Sequence, residues 1–185
     1  MQEIAPGIFR VPPVREPLSS DVFVVEGEKR FYVLDAGTSD AAYEAIRSLT
    51  KPVWMILSHF HRDHIGNMER LSPERVLCGL RTRKYVKDCT PVEEEILMDD
   101  GVLLRVQPVV SPHAPGCVMM TVNDTYTFLG DAAYARPGEK QGEAKGLVNA
   151  LKKLNTHYLI ASHNPENPVE EKEAALRDIR QYFGI

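Results

Sequence analysis

Cysteine is scarce in this sequence, with only Cys78, Cys89 and Cys117 among 185 residues. An odd count that shares no metal-type spacing fits reduced thiols, and so a cytoplasmic chain is expected. No apolar run approaches the ~20 residues that a membrane-spanning helix needs. The opening Met1-Gln2-Glu3-Ile4-Ala5-Pro6-Gly7 has no basic stretch ahead of an apolar one, so no export signal is expected either. Positive charge is not in excess: the formal net charge is -4, which leaves no electrostatic footprint for nucleic acid or for an anionic membrane. Repeats, low-complexity tracts and linkers are also missing. With 43% hydrophobic and 26% charged residues, the chain is expected to form one domain over 1–185 with a substantial core.

What the sequence does have is histidine, concentrated in one place. Three of its six histidines fall in the stretch Ser58-His59-Phe60-His61-Arg62-Asp63-His64-Ile65-Gly66-Asn67. The run Val53-Trp54-Met55-Ile56-Leu57 precedes it and reads as a buried strand, apolar throughout and too short for a core helix. The ligand-type residues therefore begin where a strand ends and a loop opens. His59 and His61 are two positions apart, so on an extended segment both rings leave the same face and can grip one ion. Asp63 and His64 follow on a turn and can address a second position. Imidazole with carboxylate suits zinc, and also iron or manganese.

His59-x-His61-x-Asp63-His64 followed by Ile65-Gly66 resembles the signature of the metallo-β-lactamase superfamily of binuclear metallohydrolases. That resemblance implies further ligands in a fixed order, and the chain has a match for each. A Pro/Gly-rich turn, Ser111-Pro112-His113-Ala114-Pro115-Gly116, supplies His113. A Gly-Asp pair after a strand, in Thr127-Phe128-Leu129-Gly130-Asp131, supplies Asp131. The end of a late strand, Tyr158-Leu159-Ile160-Ala161-Ser162-His163, supplies His163. By the family pattern His59, His61 and His113 hold a first metal, Asp63, His64 and His163 a second, and Asp131 bridges them. The implied cofactors are two divalent ions, zinc foremost. The implied chemistry is hydrolysis by a metal-bridging hydroxide whose pKa the cations depress toward ~7.

The resemblance carries finer expectations. An aspartate at Asp131 is unlike the bridging position of true zinc β-lactamases and fits the glyoxalase II, lactonase and phosphodiesterase branches. Asp131-Ala132-Ala133-Tyr134 resembles the Asp-x-x-Tyr of acyl-homoserine-lactone lactonases, which makes Tyr134, with Asp63, a candidate catalytic residue. A small thioester or lactone is the expected substrate, with a small molecule as the only partner of a monomer or homodimer. A phosphodiesterase would need Arg81, Arg83, Lys84 or Arg136 to point inward. A flavodiiron-type redox protein usually has Glu where this chain has His61, and a non-catalytic metal-binding domain usually loses ligands. Asp35, at the end of a strand before Gly37, is expected to brace the metal loop from behind, or else simply to form a turn. Cys117 reads as a buried small hydrophobe and His157 as a structural or surface residue.

The implied fold is α+β, a four-layer αββα sandwich; periodicity alone gives only mixed α and β. Strands are expected at Ile8–Val11, Val22–Val25, Phe31–Leu34 and Val76–Cys78, and at 96–98, 102–106, 118–122 and 126–129. Helices are expected after Ser39 or Asp40, over Arg81–Lys87, over Gly142–Leu154 and from a capping Asn167 onward. Pro17–Ser20 reads as a loop.

Overall fold

A computed structural model describes residues 1–185. The first half runs β1 (Gln2–Ala5), β2 (Ile8–Val11), β3 (Val14–Arg15), β4 (Leu18–Ser19), β5 (Val22–Glu26), β6 (Phe31–Leu34), α1 (Asp40–Arg47), β7 (Val53–Leu57), α2 (Arg62–Ile65), β8 (Arg75–Cys78) and β9 (Thr90–Pro91). The second half runs β10 (Ile96–Asp99), β11 (Leu103–Val109), β12 (Cys117–Val122), β13 (Tyr126–Gly130), α3 (Gln141–Lys153), β14 (Tyr158–Ala161), β15 (Val169–Glu171) and α4 (Lys172–Phe183). Seven strands form one sheet in the order β1-β2-β5-β6-β7-β8-β9, and six form a second in simple chain order from β10 to β15. β3 and β4 form a small separate hairpin.

The two sheets pack face to face. Phe23, Leu34, Ile56 and Leu77 of the first interleave with Leu104, Val106, Met120, Phe128 and Ile160 of the second in one buried cluster. Strand alternation then assigns the outer faces. On β7, Ile56 points between the sheets, while Met55 and Leu57 point outward to meet Ala42 and Ile46 of α1. On the far side, Met119, Leu129 and Leu159 meet Leu147, Val148 and Leu151 of α3 and Leu176 of α4. Helix, sheet, sheet, helix is the αββα order. A strand buried on both faces has to be apolar throughout, which explains the unbroken run from Val53 to Leu57.

Local chemistry sets the boundaries. Ser39 caps α1, its side chain accepting from the Ala42 N–H at 3.2 Å. Asn123 and Asp124 both take positive φ, as the tight turn between β12 and β13 requires. Several expectations are corrected. Arg81–Lys87 is not a helix beyond the single 3-10 turn Thr82–Lys84. Asn167 does not open a helix: its side chain accepts from the Val169 N–H, and Val169–Glu171 pairs antiparallel with β14, becoming the edge strand of the sheet, before α4 starts at Lys172. Pairing at a free strand edge outcompetes an early helix start there. Pro17–Ser20 is not a plain loop, since Leu18 and Ser19 belong to the β3–β4 hairpin. Cys78 and Cys89 are not both free thiols but form a disulfide, with Cα atoms 6.3 Å apart where β8 lies beside β9. Cys117 alone remains free, and it is buried.

Candidate metal centre

The site lies where four strands end. β6 and β7 run parallel, as do β13 and β14, so each pair delivers its C-terminal ends to one rim. Asp35 follows β6, Ser58 and His59 follow β7, Asp131 follows β13 and His163 lies two residues past β14. The fifth contribution, the loop bearing His113, joins β11 to β12. The two sheets are stitched together at this rim, where the Val118 N–H donates to the Ser58 carbonyl at 2.8 Å. Gly130 has φ +53, and any Cβ there would collide with the Ser58 side chain, so the close approach requires glycine.

The expected ligands converge as two groups. His59, His61 and His113 form one; Asp63, His64, Asp131 and His163 form the other. Within each group the ligand atoms lie within 4.8 Å of one another. In the first, His113 Nε2 is 3.1 Å from His59 Nε2 and 2.9 Å from His61 Nδ1. In the second, Asp63 Oδ2 is 3.1 Å from His163 Nε2 and 3.4 Å from His64 Nε2. Asp131 Oδ2 reaches both groups: it is 3.3 Å from His64 Nε2, 3.5 Å from His163 Nε2 and 3.6 Å from His113 Nε2.

On His59, His64 and His113 the ring nitrogen turned away from this focus is occupied. Asp35 accepts from His64 Nδ1 at 2.7 Å, and it is itself held by the Ser58 N–H and hydroxyl at 2.8 and 2.7 Å. His59 Nδ1 lies 3.1 Å from Ser58 Oγ, and His113 Nδ1 donates to the Tyr134 carbonyl at 3.0 Å. Such partners fix which nitrogen faces a metal and how the ring is turned. Asp35 thus fills the bracing role, and its positive φ of 63 turns the chain out of β6.

The donor set fits cations. His64 Nε2 and Asp131 Oδ1 are buried yet find no hydrogen-bond partner, and both belong to the second group. Buried polar atoms are rarely left so unless something else satisfies them.

Protonation also differs between the groups. Burial, aided by the neighbouring His64, pushes His59 down to about 2, and burial lowers His113 as well. Both are neutral at pH 7 and ready to ligate. Burial also pushes His64 down, but Asp35 and Asp131 more than reverse this and raise it to about 10. Hydrogen bonds to Asp131 and Asp63 raise His163 to about 9. Against the opposing pull of burial, the same contacts hold Asp131 and Asp63 below the ordinary carboxylate range.

The rim opens into a cavity of about 450 Å³ whose floor includes His61, Asp63, His113, Asp131 and His163. Its wall is the β3–β4 hairpin, through Pro13, Val14, Arg15 and Leu18. None of Arg81, Arg83, Lys84 and Arg136 lines it; Arg15 does. Tyr134 does not line it either: its hydroxyl donates to the Ser162 carbonyl at 2.7 Å, and burial pushes the phenol up to about 12. Cys117 gives its proton to the Ala114 carbonyl, and burial raises the thiol to about 11. His157 is exposed and belongs to neither ligand group. Arg10, Asp21 and the β3–β4 hairpin lie outside every motif expected from the sequence. An arginine inside the apolar strand Ile8–Val11 was the available signal.

The profile of the Metallo-beta-lactamase superfamily matches residues 15–163. No curated protein matches the sequence at a significant level. Among solved structures, an archaeal metallo-beta-lactamase superfamily protein from Sulfolobus tokodaii superposes with a TM-score of 0.71 at 20% identity, over 95% of this chain and 85% of that one. A subclass B3 metallo-beta-lactamase from a soil metagenome library gives 0.70 at 17% identity, over 96% and 90%. The flavodiiron protein from Giardia intestinalis gives 0.75 at 12% identity, over 98% of this chain and 58% of that one. At such identities these likenesses concern the fold.

Proposed function

Because the chain belongs to the metallo-beta-lactamase superfamily, whose members are generally metal-dependent hydrolases, we propose that it is a binuclear hydrolase of a small ester-like substrate, a thioester or a lactone. The class, a metal-dependent hydrolase, follows from the family together with the candidate metal site. One observation carries the finer reading: a single carboxylate oxygen of Asp131 lies within 3.6 Å of nitrogens from both ligand groups. A bridge between two ions needs such a placement.

In this proposal His59, His61 and His113 hold one ion, Asp63, His64 and His163 the other, and Asp131 both. Zinc suits the donors best, with iron or manganese also accommodated. Two such ions, when bound, supply an activated water and a Lewis acid. The chain's own residues do the rest. Asp63 lines the cavity with a carboxylate held ionised, so it is placed to orient the attacking water and take up its proton. Tyr134 is proposed to act from behind, through the Ser162 carbonyl that its hydroxyl holds. The cavity suits a small molecule and one or a few of its polar groups. No helix is long and apolar enough to cross a membrane. A cytoplasmic setting remains part of the proposal, although of the three cysteines only Cys117 now supports it.

Arg15 favours a second reading. As an exposed guanidinium on the cavity wall it suits a substrate carrying an anionic group, which includes a phosphodiester. Metal analysis of purified protein, followed by a panel of thioesters, lactones and bis(p-nitrophenyl) phosphate, separates the readings. Two metals per chain with turnover of a thioester or lactone supports the proposal. Turnover of the phosphate ester alone favours the second reading. No metal would leave a non-catalytic domain.

A further inference from the structure

We propose that the buried Arg10–Asp21 ion pair is a positioning device for His163, holding the backbone turn that presents this imidazole to the second ligand group. The inference rests on the metal-site reading above. Arg10 on β2 and Asp21 just ahead of β5 are 1% and 0% exposed at the side chain, with Arg10 Nε 2.5 Å from Asp21 Oδ1. The pair does not face the cavity, and its remaining hydrogen bonds go to one place. Asp21 Oδ2 accepts from the His163 backbone N–H at 2.7 Å, and Arg10 Nη2 donates to the Asn164 carbonyl. One residue earlier, the Tyr134 hydroxyl donates to the Ser162 carbonyl at 2.7 Å. Three consecutive residues leaving β14 are thus gripped by three side chains from distant parts of the chain.

The turn has need of a grip. His163 has φ +66, in the left-handed region that residues with a Cβ avoid. Held that way, its ring reaches Asp63 and Asp131 at 3.1 and 3.5 Å. A buried ion pair is poor evidence for stability, because apolar side chains of similar volume often serve a core as well or better. An ion pair whose spare hydrogen bonds all go to one strained turn is explained by what it positions. It also joins the sheets, since β2 and β5 belong to the first and β14 to the second.

The test is zinc titration against a chromophoric chelator, resolving two binding steps, with His61→Ala and His163→Ala assigning each step to its ligand group. The first variant combines Arg10→Met with Asp21→Leu, which removes both charges and leaves neither orphaned. The second, Arg10→Lys, keeps the charge and the fold but loses the planar fork that reaches Asp21 and Asn164 together. Each should weaken the second group on the order of 10- to 100-fold, as loss of a ligand's supporting partner does elsewhere, and leave the His59–His61–His113 group within about 2-fold. A merely structural role would lower thermal stability without splitting the two affinities. Folded Arg10→Lys protein with both affinities unchanged, or changed alike, overturns the proposal. Wild-type protein that takes up a single ion overturns both the proposal and the binuclear reading beneath it.

Discussion

Loading the second ligand group with zinc should release about two protons at pH 7, whereas loading the first should release close to none from His59 and His113. The difference comes from the carboxylates. His64 sits between Asp35 and Asp131 and is raised to about 10; His163 sits between Asp63 and Asp131 and is raised to about 9. In metal-free protein at pH 7 each therefore carries a proton at roughly 99% occupancy or more. An imidazole must surrender that proton before it ligates. For His64 the proton lost is the one on Nε2, because Asp35 keeps the one on Nδ1. His59, at about 2, has nothing to surrender. Two displaced protons make the affinity of the second group rise on the order of 100-fold per pH unit between pH 7 and 8. Isothermal titration calorimetry in buffers of different ionisation enthalpy counts the protons, using His61→Ala protein for the second group and His163→Ala for the first. Fewer than about one proton from the His61→Ala protein, or equal counts from the two, would refute the assignment of charge to the groups.

The same shift predicts a pH dependence of stability in chelator-treated protein. His163 is raised in the folded state, so its contribution is complete below about pH 6.5 and disappears as pH rises through about 9. Thermal denaturation of metal-free protein should therefore show a midpoint that falls across that window, and a flat profile would contradict it. His61→Ala should abolish turnover of every substrate in the panel while leaving the circular dichroism spectrum and melting temperature nearly unchanged, since His61 is at the rim rather than in the core; full activity would remove the proposed site. Arg15→Ala should raise KM for anionic substrates about 10-fold and leave neutral ones within about 2-fold, with kcat little altered for either. Ile56→Ala, which opens a hole between the sheets, should cost about 2–5 kcal/mol in urea unfolding.

Local spacing alone marks His59, His61, Asp63 and His64 as candidate ligands, whereas His113, Asp131 and His163 are expected only through the family resemblance. His59 and His61 alternate on an extended segment, and Asp131 and His163 each follow an apolar strand. The αββα order came from the family resemblance, since residue patterns mark strands without saying which pair up. The errors share a cause. Asn167-Pro168-Val169-Glu170 carries sound helix-start chemistry, yet β14 claims Val169 and Glu170 as strand partners, and a strand that lies earlier in the chain is invisible to a local pattern. Cys78 and Cys89 meet only because β8 and β9 are neighbours. Asp21 donates nothing to the expected motifs; its role appears once His163, 142 positions later, folds against it.

The hairpin of β3 and β4 bears on how this molecule can change. It is joined by two residue pairs only, and Thr38 Oγ1 secures its tip by donating to the Leu18 carbonyl. The ion-holding side chains hang from the two large sheets, whereas the wall that a visiting molecule meets is this small appendage. Under the proposed function, selectivity and reactivity would fall to separable pieces of chain. Exchanging residues 13–18 can redirect the choice of molecule while the reactive floor stays as it is, so drift in that short strip offers a route to new substrates that leaves the catalyst intact.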